Sequence, residues 1–210
     1  MAETLNIEQV RTVLKAACQA IVDAREELGD ADRATGDGDH GVGMSRGFGA
    51  GLTALEGAEL STVGDAFKEV GTAVLSTSGG ASGAVFGTMF RAPAKGLASE
   101  ELDAEGFATA LETSVEKVQA RGKAEPGQKT MLDALIPAAQ AARAATGNGL
   151  AAVARAAAEG AAKGREETKD MIAKVGKAKS IGERSLGNPD PGAISVTILL
   201  ETIADAIENA

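Results

Sequence analysis

The chain has 210 residues, 44% of them hydrophobic but only 2% aromatic, with no Trp and no Tyr. Its net charge of −9 and isoelectric point near 4.8 exclude a surface built for duplex nucleic acid or anionic membranes, which would repel it. The lone Cys18 excludes an internal disulfide framework, and no apolar run approaches the roughly 20 residues of a membrane span.

A core of Leu, Ile, Val and Ala with a few Met and Phe favours packed helices over a sheet. Residues 7–28 place Ile7, Val10, Val13, Leu14, Cys18, Ile21, Val22 and Leu28 at helical spacing, and Gly29 ends the pattern. Cys18 on that apolar face reads as a buried structural thiol. Residues Asp30 to Gly43 read as a loop. Helices follow over about 44–55 and about 62–77, the second capped by Ser61 or Thr62. Small residues from Ser76 to Gly83 break the pattern, and a further helix runs to about Leu97.

Asp103 and Glu105 open a helix carrying Phe107, Leu111, Val115 and Val118, which stops near Arg121-Gly122. After the turn Glu125-Pro126-Gly127, Lys129-Thr130 lead into Met131, Leu132, Leu135 and Ile136. Residues 149–170 are Ala-rich and helical, and 174–189 are basic and weakly periodic. Asp190 as cap and Pro191 at the first helical position start a last helix to Ile207. No strand alternation or repeat is present. The expectation is all-α: one domain over 1–210, an antiparallel bundle or barrel of about eight helices. The polar, acidic start MAETLNIEQV is unlike a secretory signal, so the chain is expected in the cytoplasm.

Gly is in surplus, 27 residues against a usual share of about 7%, and a helical protein places such residues in caps, loops and ligand contacts. Four loops collect them: 30–43, 76–83, 121–130 and 180–192. In an antiparallel bundle alternate loops lie at one end. The loops after helices one, three, five and seven are these four, so helix counting predicts a single site.

Asp32, Asp37 and Asp39, with glycines at 36, 38 and 41, carry the most specific signal. Three carboxylates so close repel one another unless cations are present, and hard oxygen ligands suit Mg²⁺ or Ca²⁺, Mg²⁺ commonly alongside substrate phosphates. Extended backbone would point Asp37 and Asp39 the same way. A solvated acidic turn with a helix cap is the plainer alternative. Gly36, Gly38 and Gly41 literally satisfy G-x-G-x-x-G, but no strand precedes them and acidic residues intervene, which rejects a dinucleotide loop. Gly41 breaks the EF-hand order, and no P-loop motif is present. His40, the only histidine, has two functional roles open, phosphate binding or proton placement, beside a structural or capping one. A serine or cysteine hydrolase would need it as base amid carboxylates, which argues against that chemistry. Ser78 to Gly83 offer amides and hydroxyls before a helix, a phosphate cradle or a close helix crossing. Arg121, Lys123, Lys129 and Arg184 could bring positive charge to phosphates, although any single one is more often a solvated surface charge.

Taken together, Gly36-Asp37-Gly38-Asp39-His40-Gly41, Ser78-Gly79-Gly80-Ala81-Ser82-Gly83, Arg121-Gly122-Lys123-Ala124-Glu125-Pro126-Gly127, Gly182-Glu183-Arg184-Ser185 and Asp190-Pro191-Gly192-Ala193 resemble the nucleotide-binding L subunit of dihydroxyacetone kinases, in order over nearly the whole chain. The resemblance implies an eight-helix barrel holding ADP or ATP at one end through two Mg²⁺ ions, with Asp32, Asp37 and Asp39 as metal ligands. It implies a nucleotide surrounded by His40, Gly41, Val42, Gly43, Ala81, Ser82, Gly122, Thr130, Met131, Arg184, Asp190, Pro191 and Gly192, to which the cradle reading adds Ser78 and Gly79. It further implies phosphoryl transfer, with Asp32, Asp37, Asp39 and His40 at the reacting phosphates. The acceptor would be dihydroxyacetone held on a separate K subunit. The implied donor is ADP rephosphorylated in place by a phosphotransferase-system phosphocarrier, or else exchangeable ATP. Another keto-sugar such as erythrulose, and an ADP-loaded regulatory module, are the alternatives, and a homodimer is open. No nucleic-acid or membrane partner is expected. Gly43 departs from the family, in which Asn or Thr is common, so nucleotide affinity or exchange is expected to differ.

Overall fold

The computed structural model describes residues 3–210. Among them run nine α-helices: α1 (Ile7–Asp23), α2 (Arg25–Thr35), α3 (His40–Gly57), α4 (Val63–Thr77), α5 (Gly80–Arg91), α6 (Ala104–Gly122), α7 (Leu132–Ala145), α8 (Leu150–Glu167) and α9 (Pro191–Glu208). The only strand pairing among the described residues is a two-residue antiparallel bridge, Leu5–Asn6 with Glu101–Leu102. Among the described residues no helix is long and apolar enough to cross a membrane.

The helix starts follow capping chemistry. Thr62 accepts the Asp65 N–H and Asp65 answers the cap, a reciprocal box. Asp103 caps α6 through the Gly106 N–H, and Asp190 caps α9 through the Ala193 N–H with Pro191 at the first helical position. Asn6 and Gln9 form the same kind of box on α1.

Neighbours in sequence pack side by side from α3 to α9. Then α9 and α3 both pack on α1, so eight helices close a ring. The all-α barrel is therefore as expected. Its interior is one apolar cluster in which Leu14, Ile21, Met44, Phe48, Phe86, Leu135 and Leu199 are fully buried. The scarce aromatics sit together: Phe48 meets Phe86 and Phe90 edge-on at centroid distances of 6.4 and 5.6 Å. Each such pair adds roughly 0.5–1.5 kcal/mol beyond its buried area. Alanines dominate where α7 crosses α8, and their small size permits close approach. Cys18 is a buried thiol, pushed up to about 12 by burial, as its apolar setting implied.

The helix beyond the expected eight, α2, is the departure. Gly29 does not end the first helix; α1 stops at Ala24 and α2 continues to Thr35, straight through what reads in sequence as loop. Only Leu28, Gly29 and Thr35 of α2 are buried, so it carries almost no apolar periodicity to detect. It lies across the end of the ring, against α3 and α9. Gly41 makes that crossing possible: a Cβ there would run into the Arg25 carbonyl oxygen and lie 2.7 Å from Gly29 N.

Candidate functional site

At this end of the ring three helix N-termini meet on one side chain. His40, the first residue of α3, is buried, with Nδ1 3.0 Å from Ser82 Oγ in the first turn of α5 and Nε2 2.9 Å from Ser195 Oγ near the start of α9. The Ser195 hydroxyl donates to the Pro191 carbonyl at 3.1 Å, so it accepts from Nε2–H, and Nδ1 accepts the Ser82 proton. Burial holds the ring below the ordinary histidine range, against the opposing pull of Asp32 and Asp39. His40 is thus a neutral knot between α3, α5 and α9. Of its open roles the geometry favours the structural one, since both ring nitrogens are engaged within the protein.

The acidic residues sit around this knot. Asp32, on α2, accepts the His40 backbone N–H through Oδ2 at 3.1 Å. Asp37 and Asp39 lie in the short link to α3, and one oxygen from each of the three carboxylates falls within 4.8 Å of the others. The link is a turn, not the extended segment expected: Gly38 has φ +80°, open to glycine at little cost, and Asp39 is helical at φ −90°, ψ −10°. Asp39 makes no side-chain cap bond, so its carboxylate is left facing outward. The Lys177 ammonium bridges Asp37 and Asp39, at 2.9 Å from the latter. The Lys177 hydrogen bond holds the Asp37 carboxyl below its usual range, and the same contacts raise the lysine. A carboxylate set that already holds one cation, with hard oxygen donors on two elements, fits a divalent metal ion.

The other loops converge as helix counting predicts. Lys129, at φ +61°, is buried and donates to the carbonyls of Thr168 and Asn188, each at 2.6 Å. Its ammonium is committed to these oxygens, so it neither faces phosphates nor lies solvated at the surface. Burial lowers it, with Asp190 and Asp170 opposing. Asp133 gathers the α6–α7 loop by accepting the Gly127 and Thr130 N–H groups at 2.6 and 2.8 Å. A Cβ on Gly192 would lie 3.1 Å from Met131 Cβ, so Met131 and the start of α9 adjoin. Asp190 is half-buried, and desolvation pushes it up to about 7.

The DAK2 domain model matches residues 34–205. The chain belongs to the DAK2-domain family. It is 36% identical over 185 residues to the ADP-binding subunit of a PEP-dependent dihydroxyacetone kinase from Listeria innocua, covering 88% of this chain and 89% of that one. The corresponding Escherichia coli subunit is 37% identical with the same coverage. An L-erythrulose kinase of Pectobacterium atrosepticum is 35% identical over 95% of this chain but only 35% of its own. Among solved structures, the C. freundii dihydroxyacetone kinase in complex with AMP-PNP and Mg²⁺ superposes with a TM-score of 0.72 at 25% identity. The match covers 93% of this chain, which spans about a third of that kinase's length, 33%.

Of the residues expected around a nucleotide, the structure brings His40 and Ser82 into direct contact, and Ser195 links His40 to the Pro191 carbonyl at the start of α9. Gly79, Ala81 and Val42 are exposed beside them, with Gly79 at φ +76° opening α5. Gly122 lies exposed near Val85 of α5, and Arg184 is exposed on the connection between α8 and α9. For Ser78 the structure favours the close-crossing alternative over the cradle: its side chain is buried against Gly47 and Gly83 and does not face outward. Lys177, Ser195, Asp133 and Arg46, which donates to the carbonyls of Thr77 and Ser78, were not indicated by sequence. The basic run at 174–189 was the available signal for Lys177; nothing in the chain order links Ser195 to His40.

Proposed function

We infer that the chain is the nucleotide-binding, phosphoryl-transfer subunit of a dihydroxyacetone kinase. The observation that carries this reading is the juxtaposition at His40 of three helix N-termini with three carboxylates. Helix N-termini attract anions through unpaired amides and the dipole, whereas clustered carboxylates attract hard cations. A metal–nucleotide complex presents both charges together. The relatives named for ADP binding supply the base and the sugar acceptor class.

In this reading Asp32, Asp37 and Asp39 hold Mg²⁺, two ions by family resemblance, which would neutralise phosphate charge as the phosphoryl group transfers. Amides at the starts of α3, α5 and α9, around Gly41 to Gly43, Ala81, Ser82 and Gly192, bind and orient the phosphates. His40 is a positioning residue that fixes these amides relative to Asp32. Catalysis is then positioning and electrostatics. The keto-sugar sits on a separate K subunit, and ADP is rephosphorylated in place by a phosphotransferase-system phosphocarrier. Because acceptor choice lies on the partner, erythrulose is the second reading, favoured by the 35% identity to an erythrulose kinase.

Calorimetric titration with ADP tests the site. Binding is expected with Mg²⁺ and lost with chelator, and Asp37→Ala or Asp39→Ala should abolish the Mg²⁺-dependent part while helical circular dichroism persists. Unchanged binding in both variants would sink the assignment.

A further inference from the structure

The connection between α8 and α9 is fastened in two chemically different ways. At its neck, Lys129 joins the carbonyls of Thr168 and Asn188, Thr168 Oγ1 accepts the Asp190 N–H at 2.9 Å, and the Gly187 N–H reaches the Lys169 carbonyl at 2.8 Å. Ala173 N–H and Ser185 Oγ close the next rung at 3.0 Å. Lys129, Thr168 and Ser185 are buried, so the neck is a permanent structural join. The tip is different. Among the described residues its side-chain hydrogen bonds to the acidic loop are those of Lys177 alone, whose ammonium lies between Asp37 and Asp39 with its side chain 60% exposed.

We propose that Lys177 is a tethered counter-cation: it neutralises Asp37 and Asp39 in the metal-free protein and is displaced when a divalent ion takes those carboxylates. The inference rests on the reading of Asp32, Asp37 and Asp39 as metal ligands. Three carboxylate oxygens within 4.8 Å repel one another without a cation, and Lys177 supplies one from the chain itself. Its ammonium and a metal ion compete for the same two carboxylates, Asp37 and Asp39. The exposed pairs are weak enough to exchange: each shifts an equilibrium by a factor of about 1.5–5. Because the neck is fixed by Lys129, losing the latch frees the tip without unfolding the connection. Binding of metal is thereby coupled to the position of residues 175–184, which include Arg184; Lys174 stays on the neck through its N–H to the Gln128 carbonyl at 3.2 Å.

The test is binding of Mn²⁺ alone, followed by the electron paramagnetic resonance of the free ion, with no nucleotide present. Lys177→Met should bind Mn²⁺ about threefold to tenfold tighter than wild type, having lost the competitor. Lys179→Met removes the same charge two residues away, where no ion pair is formed among the described residues, and should stay within about twofold of wild type. Hydrogen exchange reads the second consequence: Mn²⁺ should speed exchange over 175–184 in wild type, whereas in Lys177→Met these amides exchange fast from the start. Equal Mn²⁺ affinity in Lys177→Met and wild type, or equal gains in both variants, overturns the counter-cation role and leaves the metal site standing. If none of the three proteins binds Mn²⁺, the metal reading itself has failed and the counter-cation role with it.

Discussion

The two ends of the ring are built on opposite principles. At the far end Leu5, Val10, Phe67, Leu102, Phe107, Ile203 and Ile207 meet with no charged group among them, and the short Leu5–Leu102 bridge closes over them. At the site end Asp32, Asp37, Asp39, His40, Lys129, Asp133 and Asp190 are drawn together by hydrogen bonds. Apolar burial stabilises one end whatever is bound. The other gathers like charges and desolvates Asp190, which costs stability until a ligand offsets it. The difference teaches where to look for function in a helical ring: at the end whose packing is electrostatically unfavourable when empty.

Substitutions can break this contrast in either direction. The largest stability effect belongs to the far end. Phe107→Ala should lower the unfolding free energy by about 3–5 kcal/mol in urea titrations. ADP affinity measured well below the midpoint should be unchanged; a parallel loss of affinity would show that the ends are not independent. Next comes Lys129→Met, which leaves the Thr168 and Asn188 carbonyls without their donor and should cost about 2–3 kcal/mol. Unlike Phe107→Ala, it should also speed hydrogen exchange through 168–190.

Titration gives a third way to sharpen the comparison. Asp190 has a folded-state value raised to about 7 from an ordinary 3.8, so the folded protein prefers the protonated form. Its stabilising contribution is full below the unfolded value and fades as pH rises through about 4 to 7, by up to a few kcal/mol before solvent screening is allowed for. Asp190→Asn should flatten that slope in metal-free protein. Asp37, with its value lowered, acts in the opposite sense and only where pH falls below its ordinary range. A slope over pH 4 to 7 unchanged by Asp190→Asn would contradict the desolvation argument.

The smallest effect concerns Gly43. A Cβ there would lie 3.2 Å from the Ser78 carbonyl, tight but relieved by a small shift, so Gly43→Thr should change stability by less than about 1 kcal/mol. Slower ADP dissociation is expected if the added hydroxyl reaches phosphate, measured by stopped-flow displacement.

The fold was legible because most helices announce themselves twice, by apolar spacing and by a cap. Thr62, Asp103 and Asp190 are caps in the structure, as their positions before periodic runs implied. α2 escaped because a helix that buries so few residues leaves no apolar period, and Gly29 sits in it for the crossing with Gly41, not as a terminator. Within the site, Asp32, Asp37 and Asp39 were legible because three carboxylates are adjacent in the chain itself. Lys177 and Ser195 were not, since the contacts that give them meaning span 140 and 155 residues respectively. Lys129 was misread for a related reason. A lysine before a helix looks like a surface charge, and only the carbonyls of Thr168 and Asn188 reveal it as a buried clamp.

The central claim, that one metal–nucleotide site lies where α3, α5 and α9 begin, is tested most directly by amide resonances recorded with ADP and substoichiometric Mn²⁺. Paramagnetic broadening is predicted to be strongest at Asp32 and residues 37–43, extend to 80–83 and 190–193, and spare the far-end residues around Leu5 and Phe107. Broadening that centres elsewhere, or that stays on the acidic link without reaching the starts of α5 and α9, would contradict it.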